Sequence, residues 1–387
     1  MGKLQYIDGN EVQLLHCGGE YFSALLHAIE LTQHEIYLET YLFSHDPTAL
    51  TVREALIAAA KRGVTVRVVI DWLGSGRHQA QHLTQLLIDG GVQCRCFNPW
   101  FRRGLARTHR KIAVLDEKIA IVGGLNIIDD QISDDGWEQI LPFPRWDFAV
   151  HIQGPLVAYV HLEVEAQWRK TGRLGLMSRI ALLRDLQKEA RSAHSALSRA
   201  ALVVRDNLRN RATIQKAYLH ALGNAHQRAI LVTPYFAPGR KFRRALIAAA
   251  SRGVEVVLLI GVGQFVLQDA VAHSYYPKLL GKGIRIVEYR RTQLHAKVAV
   301  IDEDWATVGS SNFDGLSLFL NHEANIVIHD KIFTTKLTAE LQRGIADGVE
   351  VFMEDYANQA WYKRAWYGVA YLVYRVLMRL VTFGSYG

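Results

Sequence analysis

The chain has 387 residues, half of them hydrophobic, and carries 45 basic against 37 acidic side chains, for a formal charge of +8. That length and apolar content support a sizeable core in one large or two medium domains and exclude a disordered chain. The basic excess fits an anionic partner: nucleic acid, an anionic membrane surface or a phosphate-bearing substrate.

The three cysteines, Cys17, Cys94 and Cys96, are odd in number and lack a zinc spacing, so they read as reduced thiols of a cytoplasmic protein. The first twenty residues contain charges and no apolar h-region, so a signal peptide is not expected. Met1-Gly2 is followed by Tyr6 where a myristoylation signal has Ser or Thr. No run of about 18 uncharged apolar residues predicts a spanning helix.

Ile36 to Phe43 reads as a buried strand, and Thr51 to Arg62 as a helix closed by Gly63. Val64 to Ile70 is a second strand, Gln79 to Asp89 a helix stopped by Gly90-Gly91, and Val92 to Phe97 a third strand. This alternation predicts an α/β fold with a mixed sheet flanked by helices. A basic, aromatic loop (Trp100, Phe101, Arg102, Arg103) precedes strands at about 110–115 and 119–122, which flank an Asp116-Glu117-Lys118 turn. Residues 128–145 read as a loop and Phe148 to Ile152 as a strand, with Pro155 at N1 of a helix to about Lys170. Residues 171–200 are Arg-rich with Leu176, Ile180 and Leu183 at helical spacing, an amphipathic connector.

The second half repeats the first. Glu54 to Gly63 matches Arg244 to Gly253, and Thr40-Tyr41 has its counterpart in Thr233-Pro234-Tyr235. The expected organisation is two homologous α/β halves, 8–170 and 201–350, packed about a pseudo-twofold axis, with a tail at 351–387. At the centre of each half stands the octet H-x-K-x-x-x-x-D: His109, Lys111 and Asp116, then His295, Lys297 and Asp302. A second apolar run and a Gly/Ser turn ending in Asn126 or Asn312 follow each octet.

Side chains alternate along a strand, so each His and its Lys share a face. The Asp lies an odd seven residues on, at the strand end. It completes the motif, but its position suits anchoring the turn better than touching substrate. A lysine beside a histidine repels a cation, so the octet makes a poor metal site and a sensible oxyanion site. Two copies on a twofold axis suit in-line displacement at phosphorus, with one neutral imidazole attacking and the other, protonated, serving the leaving oxygen. Lys111, Lys297, Asn126 and Asn312 can hold the phosphate. No metal or cofactor is needed. Each imidazole requires a group that fixes its tautomer, and Asp147 and Glu323 follow the two octets at similar remove.

With Gly-Gly-x-Asn and Gly-Ser-Ser-Asn after them, the two octets resemble the phospholipase D superfamily. Ser311 to Leu318, leading into Asn321-His322-Glu323-Ala324-Asn325, is similar to bacterial cardiolipin synthases, and Gly9 to Leu15 to their shorter branch without N-terminal transmembrane helices. The resemblance spans about residues 8 to 350. It implies a phosphohistidine intermediate, His109 as nucleophile and His295 as acid, with Glu323 orienting His109 and Asp147 orienting His295. It also implies a phosphatidyltransferase that joins two phosphatidylglycerol molecules into cardiolipin and releases glycerol. Gly315-Leu316 stands where many members carry an Arg.

Six aromatics (Trp361, Tyr362, Trp366, Tyr367, Tyr371, Tyr374) crowd the tail. On a helical wheel Arg364, Arg375 and Arg379 fall opposite Trp366, Val369, Val373, Leu377 and Leu380, the pattern of an interfacial helix over 361–381. This predicts a peripheral protein on the cytoplasmic side of a bacterial inner membrane, with anionic phospholipids as partners. A phospholipase D-type hydrolase or nuclease is the alternative, and the aromatic tail favours lipid over nucleic acid. A membrane scaffold with a dead site is disfavoured by two intact octets.

Overall fold

The computed structural model describes residues 4–134, 139–172, 198–206, 210–315, 317 and 320–381. The first half runs β1 (Ile7–His16), α1 (Cys17–Leu31), β2 (Glu35–Thr40), α2 (Pro47–Lys61), β3 (Thr65–Asp71), α3 (Arg77–Asp89), β4 (Gln93–Phe97), β5 (Arg102–Leu105), β6 (Ile112–Leu115), β7 (Ile119–Gly123), β8 (Phe148–Gln153) and α4 (Leu156–Thr171). The second runs β9 (Ser198–Arg205), α5 (Thr213–Gly223), β10 (Arg228–Thr233), α6 (Arg240–Ser251), β11 (Glu255–Gly261), α7 (Val266–His273), α8 (Tyr276–Leu280), β12 (Arg285–Tyr289), β13 (Val298–Ile301), β14 (Trp305–Gly309), β15 (Glu323–His329) and α9 (Lys331–Ala346). Then come β16 (Val349–Val351), α10 (Met353–Ala357) and α11 (Trp361–Val381).

β2, β3 and β4 are parallel, and β6, β7, β8 and β1 continue antiparallel from β2. Their apolar residues are buried on both faces, which is why β3 and β11 read as near-continuous Val, Ile and Leu. The strands join into one 15-stranded order, β16-β12-β11-β10-β13-β14-β15-β9-β1-β8-β7-β6-β2-β3-β4. Read outward from the β9–β1 junction, the two halves have the same order, with β16 added at one edge. The predicted twofold repeat is therefore a repeat of topology, and its axis passes between β1 and β9, which meet at Ile7↔Ala200 and Asn10↔Ser198.

α2 begins at Pro47, before the expected Thr51, because Asp46 caps it by accepting the Ala49 N–H at 2.9 Å and Pro47 fits the first turn. Pro155 sits at the N-cap of α4, one place before the expected N1. Of the connector residues, Thr171 ends α4 and 198–200 open β9. Residues 173–197, with most of the predicted amphipathic helix, lie outside the described residues, as do Leu316 and Leu318.

α11 divides its surface. Tyr367, Tyr371 and Tyr374, spaced as one helical stripe, turn to the protein with Ala370 and Met378. Tyr367 stacks on His273 at 4.9 Å, Tyr371 meets Tyr275 edge-on, and Tyr374 Oη accepts the Gly315 N–H at 2.8 Å. These three tyrosines are thus docking groups, not the interfacial aromatics expected from the sequence. Trp366, Val369, Leu372, Val373, Val376, Leu377 and Leu380 remain exposed on the other side. Among the described residues no helix is long and apolar enough to cross a membrane.

Candidate active site

Each octet enters its hairpin from an extended lead that pairs with the other half, not with its own sheet. His109 N–H donates to His322 O and His295 N–H to Trp146 O, both at 2.9 Å. The segments they meet lead into β15 and β8, and each carries a carboxylate at that point. His109 Nδ1 lies 3.0 Å from Glu323 Oε2, and His295 Nδ1 lies 2.6 Å from Asp147 Oδ2. The structure thus brings each imidazole to the carboxylate of the opposite half.

With Nδ1–H donated to a carboxylate, each ring presents Nε2 with its lone pair. His109 Nδ1 is shared with Ser310 O at 3.0 Å. The two Gly/Ser turns meet their acids differently. A Cβ at Gly124 would run into the Asp147 carboxylate. At the equivalent place Ser310 instead donates its hydroxyl to Glu323. Burial pushes both imidazoles below their ordinary pKa, helped at His295 by the charge of Lys297 and opposed at each ring by its carboxylate.

Both lysines are buried. Lys111 Nζ donates to His109 O at 2.9 Å, and Lys297 Nζ donates to His295 O. A cavity of about 270 Å³ is walled by His109, His295, Asn126, Asn312, Tyr41 and Asp134, among others. The Asn126 Oδ1 accepts the Leu42 N–H at 3.3 Å, and Asn312 Oδ1 is buried without a hydrogen-bond partner. Two imidazoles and two amides therefore line one pocket, and the two ammonium groups are buried outside that lining, each bonded to the carbonyl of its own histidine.

Asp116 and Asp302, counted with the catalytic set from the motif, stand away from it. Asp116 accepts the N–H groups of Gln33, His34 and Glu35, and Asp302 those of His226, Gln227 and Arg228. They pin the loops that start β2 and β10. Burial raises the Asp116 carboxyl, but the three N–H groups outweigh it and hold the pKa below the usual value. These contacts are the turn anchoring that the odd spacing favours, and they place both carboxylates outside the catalytic pocket.

Asp134 and Tyr41 belong to the pocket and were not singled out from the sequence. Asp134 Oδ2 lies 3.5 Å from His295 Nε2, while its Oδ1 accepts the amides of Gln293 at 2.8 Å and Gln264 at 3.1 Å. Tyr41 sets its ring edge-on to His109 at 4.9 Å and under the Lys111 ammonium at 5.3 Å. A His/acid group able to hold an ion, Glu35, Glu117 and His161, is at the opposite end of β2, where Glu35 is already engaged by Arg67 at 3.1 Å.

Burial pushes the Lys111 pKa down to about 7, with Lys297 contributing, and that of Lys297 down to about 8. Unfolded, both lysines titrate near 10.4. Between pH 8 and 10 the unfolded chain therefore binds more protons, and stability should rise with pH through that window. Lys297→Met is expected to raise stability at pH 7 by on the order of 1–3 kcal/mol while lowering turnover about 10²–10³-fold. Thermal melts beside activity assays check this, and a melting temperature that falls contradicts it. In wild type, kcat/KM for an anionic phosphodiester should decline as pH rises through 7 to 8 and the ammonium charges are lost.

A family model described as "Cardiolipin synthase, PLD-like domain" matches residues 25–153 and again 218–345. Cardiolipin synthase B of Escherichia coli (strain K12) is 36% identical over 351 residues, which cover 89% of this chain and 82% of that protein. A cardiolipin synthase of Alkalihalophilus pseudofirmus is 27% identical over 372 residues, covering 94% and 72%. Phosphatidylserine synthase of Haemophilus influenzae superposes with a TM-score of 0.68 at 14% identity over 96% of this chain and 94% of that one, a likeness of fold. The doubled domain, the fold and the extent of identity agree: the chain belongs to the cardiolipin synthase family of phospholipase D-like proteins.

Proposed function

We propose that the chain is a phosphatidyltransferase that makes cardiolipin from two molecules of phosphatidylglycerol. The observation that carries this is the crossed pairing, which brings both imidazoles to one pocket, each with a buried ammonium group bonded to its own backbone carbonyl. His109 Nε2 attacks phosphorus. The N–P bond forms as the P–O bond to glycerol breaks, and His295 gives its proton to that oxygen. The bound phosphodiester supplies the negative charge that lets the buried His295 carry this proton. His295 then takes the proton of the second lipid's terminal hydroxyl as that oxygen displaces His109. Lys111, Lys297, Asn126 and Asn312 hold the non-bridging oxygens, and no metal or cofactor takes part. The lobes 8–170 and 201–350 each supply half of this apparatus.

Lipid is favoured over nucleic acid by the apolar surface near the pocket. Phe265 lines the pocket, Val266 and Leu267 beside it are exposed, and α7, which they open, packs against α11. The open face of α11 is suited to lie in the acyl boundary of an anionic membrane, peripheral and on the cytoplasmic side of a bacterial inner membrane. Leu377→Asp is expected to weaken sedimentation with phosphatidylglycerol vesicles at least about tenfold; unchanged binding contradicts the membrane role of this helix.

Incubation with labelled phosphatidylglycerol, and separately with labelled single-stranded DNA, tests the activity. Cardiolipin and free glycerol are expected from the first and no cleavage from the second. Cut DNA beside untouched lipid would replace the proposal with a nuclease.

A further inference from the structure

The two halves are alike in their catalytic groups and unlike beside them. A second cavity, of about 560 Å³, adjoins the catalytic pocket and shares Leu42, Gly74 and Asp134 with it. All of its walls come from the first half, among them Ser44, Leu73, Gln79, Ile132 and Ile140. In both halves a Thr hydroxyl (Thr40, Thr233) donates to the carbonyl two residues on, so Leu42 corresponds to Tyr235. The next helix opens on Gly76 in the first half and on Phe265 in the second. Where the first half has Leu42, Ser75 and Gly76, the second has the Tyr235 ring against Phe265 at 5.8 Å, its hydroxyl donating to Gln264. The larger side chains stand on one side and the cavity on the other.

The charge of this groove also sets it apart. None of its lining residues is a lysine or arginine, and Asp134 stands where it opens into the catalytic pocket. The Asp134 carboxylate, with the Arg145 guanidinium 3.9 Å from its Oδ2, can accept hydrogen bonds from hydroxyls. Its Oδ1 is held by Gln264 and Gln293, and its Oδ2 is beside His295 Nε2, the atom that must exchange a proton with an alcohol oxygen. With no lysine or arginine among its walls and hydrogen-bonding groups at Ser44, Gln79 and Asp134, the groove suits a neutral polyol better than a phosphate.

We propose that this groove is the alcohol subsite: it receives the glycerol unit that leaves from the donor and the glycerol unit of the acceptor that replaces it, with Asp134 accepting a hydrogen bond from one of its hydroxyls. The proposal rests on the phosphatidyltransferase reading. In the acceptor step the alcohol oxygen forms the new O–P bond, its proton goes to His295 Nε2, and the P–N bond to His109 breaks, its electron pair returning to Nε2. The groove orients that oxygen and displaces water, so it sets the ratio of transfer to hydrolysis.

Ser44→Phe and Ile132→Trp fill the groove from two walls and leave the catalytic pocket untouched. Phosphatidylmethanol is the donor, because methanol needs no groove. With it both variants should release methanol within about twofold of wild type, which also reports correct folding. Transfer to labelled free glycerol, and in a separate arm to phosphatidylglycerol, should fall at least about tenfold relative to transfer to water. Loss in both arms, or in the phosphatidylglycerol arm alone, supports the subsite, and unchanged transfer to phosphatidylglycerol overturns it. Asp134→Asn should raise the KM for glycerol more than it lowers the rate of donor cleavage. Equal loss of methanol release and transfer, or no loss of either, overturns the proposal. A wild type that cleaves the donor yet hands it only to water overturns the transferase reading itself, which separates the two failures.

Discussion

Replacing His109 by alanine is expected to lower phosphatidyl transfer by about 10⁴-fold or more, because the P–N bond of the intermediate has no other atom to form on. The neutral state needed for attack is already favoured by burial of the ring, and Glu323 fixes the tautomer that points the lone pair at the pocket. His295→Ala should be as damaging with phosphatidylglycerol, whose glycerol leaves only with a proton. The two variants should part on a phosphatidyl donor with a p-nitrophenol leaving group, which departs without acid help. There His295→Ala should regain a first-turnover burst and His109→Ala should not. A burst with His109→Ala and none with His295→Ala would exchange the two roles.

Glu323→Gln carries the second large effect, a loss of about 10²–10⁴-fold in turnover, since the amide can stabilise the wrong tautomer of His109 and no longer offsets its charge. The acid is fully buried, with Oε2 taken by His109 and Ser310, so the variant keeps its shape while changing the proton inventory. Combined with His109→Ala it should add almost nothing, because both act through one ring. Asp116→Asn is the contrast. It weakens three hydrogen bonds outside the pocket, and should reduce stability by about 1–2 kcal/mol with turnover of the folded enzyme nearly intact. Full activity in Glu323→Gln, or its complete loss in folded Asp116→Asn, would contradict these assignments.

The strands, the repeat and the shared face of His and Lys were legible because each rests on local periodicity. The burial of Lys111 and Lys297 follows from that face once β6 and β13 become central strands. The crossed pairing was not legible from spacing. Asp147 and Glu323 could be seen to follow the octets, but nothing local says that each serves the other half, and the resemblance supplied that pairing. The contacts of His109 with His322 O and of His295 with Trp146 O give the physical reason: each octet is entered through a bridge to the opposite lobe. Asp134 was invisible because it sits in the 128–145 loop among Asp129, Asp130 and Asp135, where no period marks one acid above another. The start of α2 is legible in Asp46-Pro47, a capping signal that apolar spacing alone does not register. The tyrosine stripe of α11 has the i, i+4, i+7 spacing of a docking face. Read by composition, those aromatics suggested a membrane interface, and three of them instead hold the helix on the protein.

The central claim is that the two octets form one active site working through a phosphatidyl-histidine on His109. Rapid acid-free quenching of the enzyme with phosphorus-labelled phosphatidylglycerol, followed by mass-spectrometric location of the label, tests it directly. Label on the peptide containing His109, absent from His109→Ala and chased into cardiolipin by further lipid, is the predicted result. Label on His295, or turnover to cardiolipin without any labelled enzyme under conditions that trap it, would contradict the account.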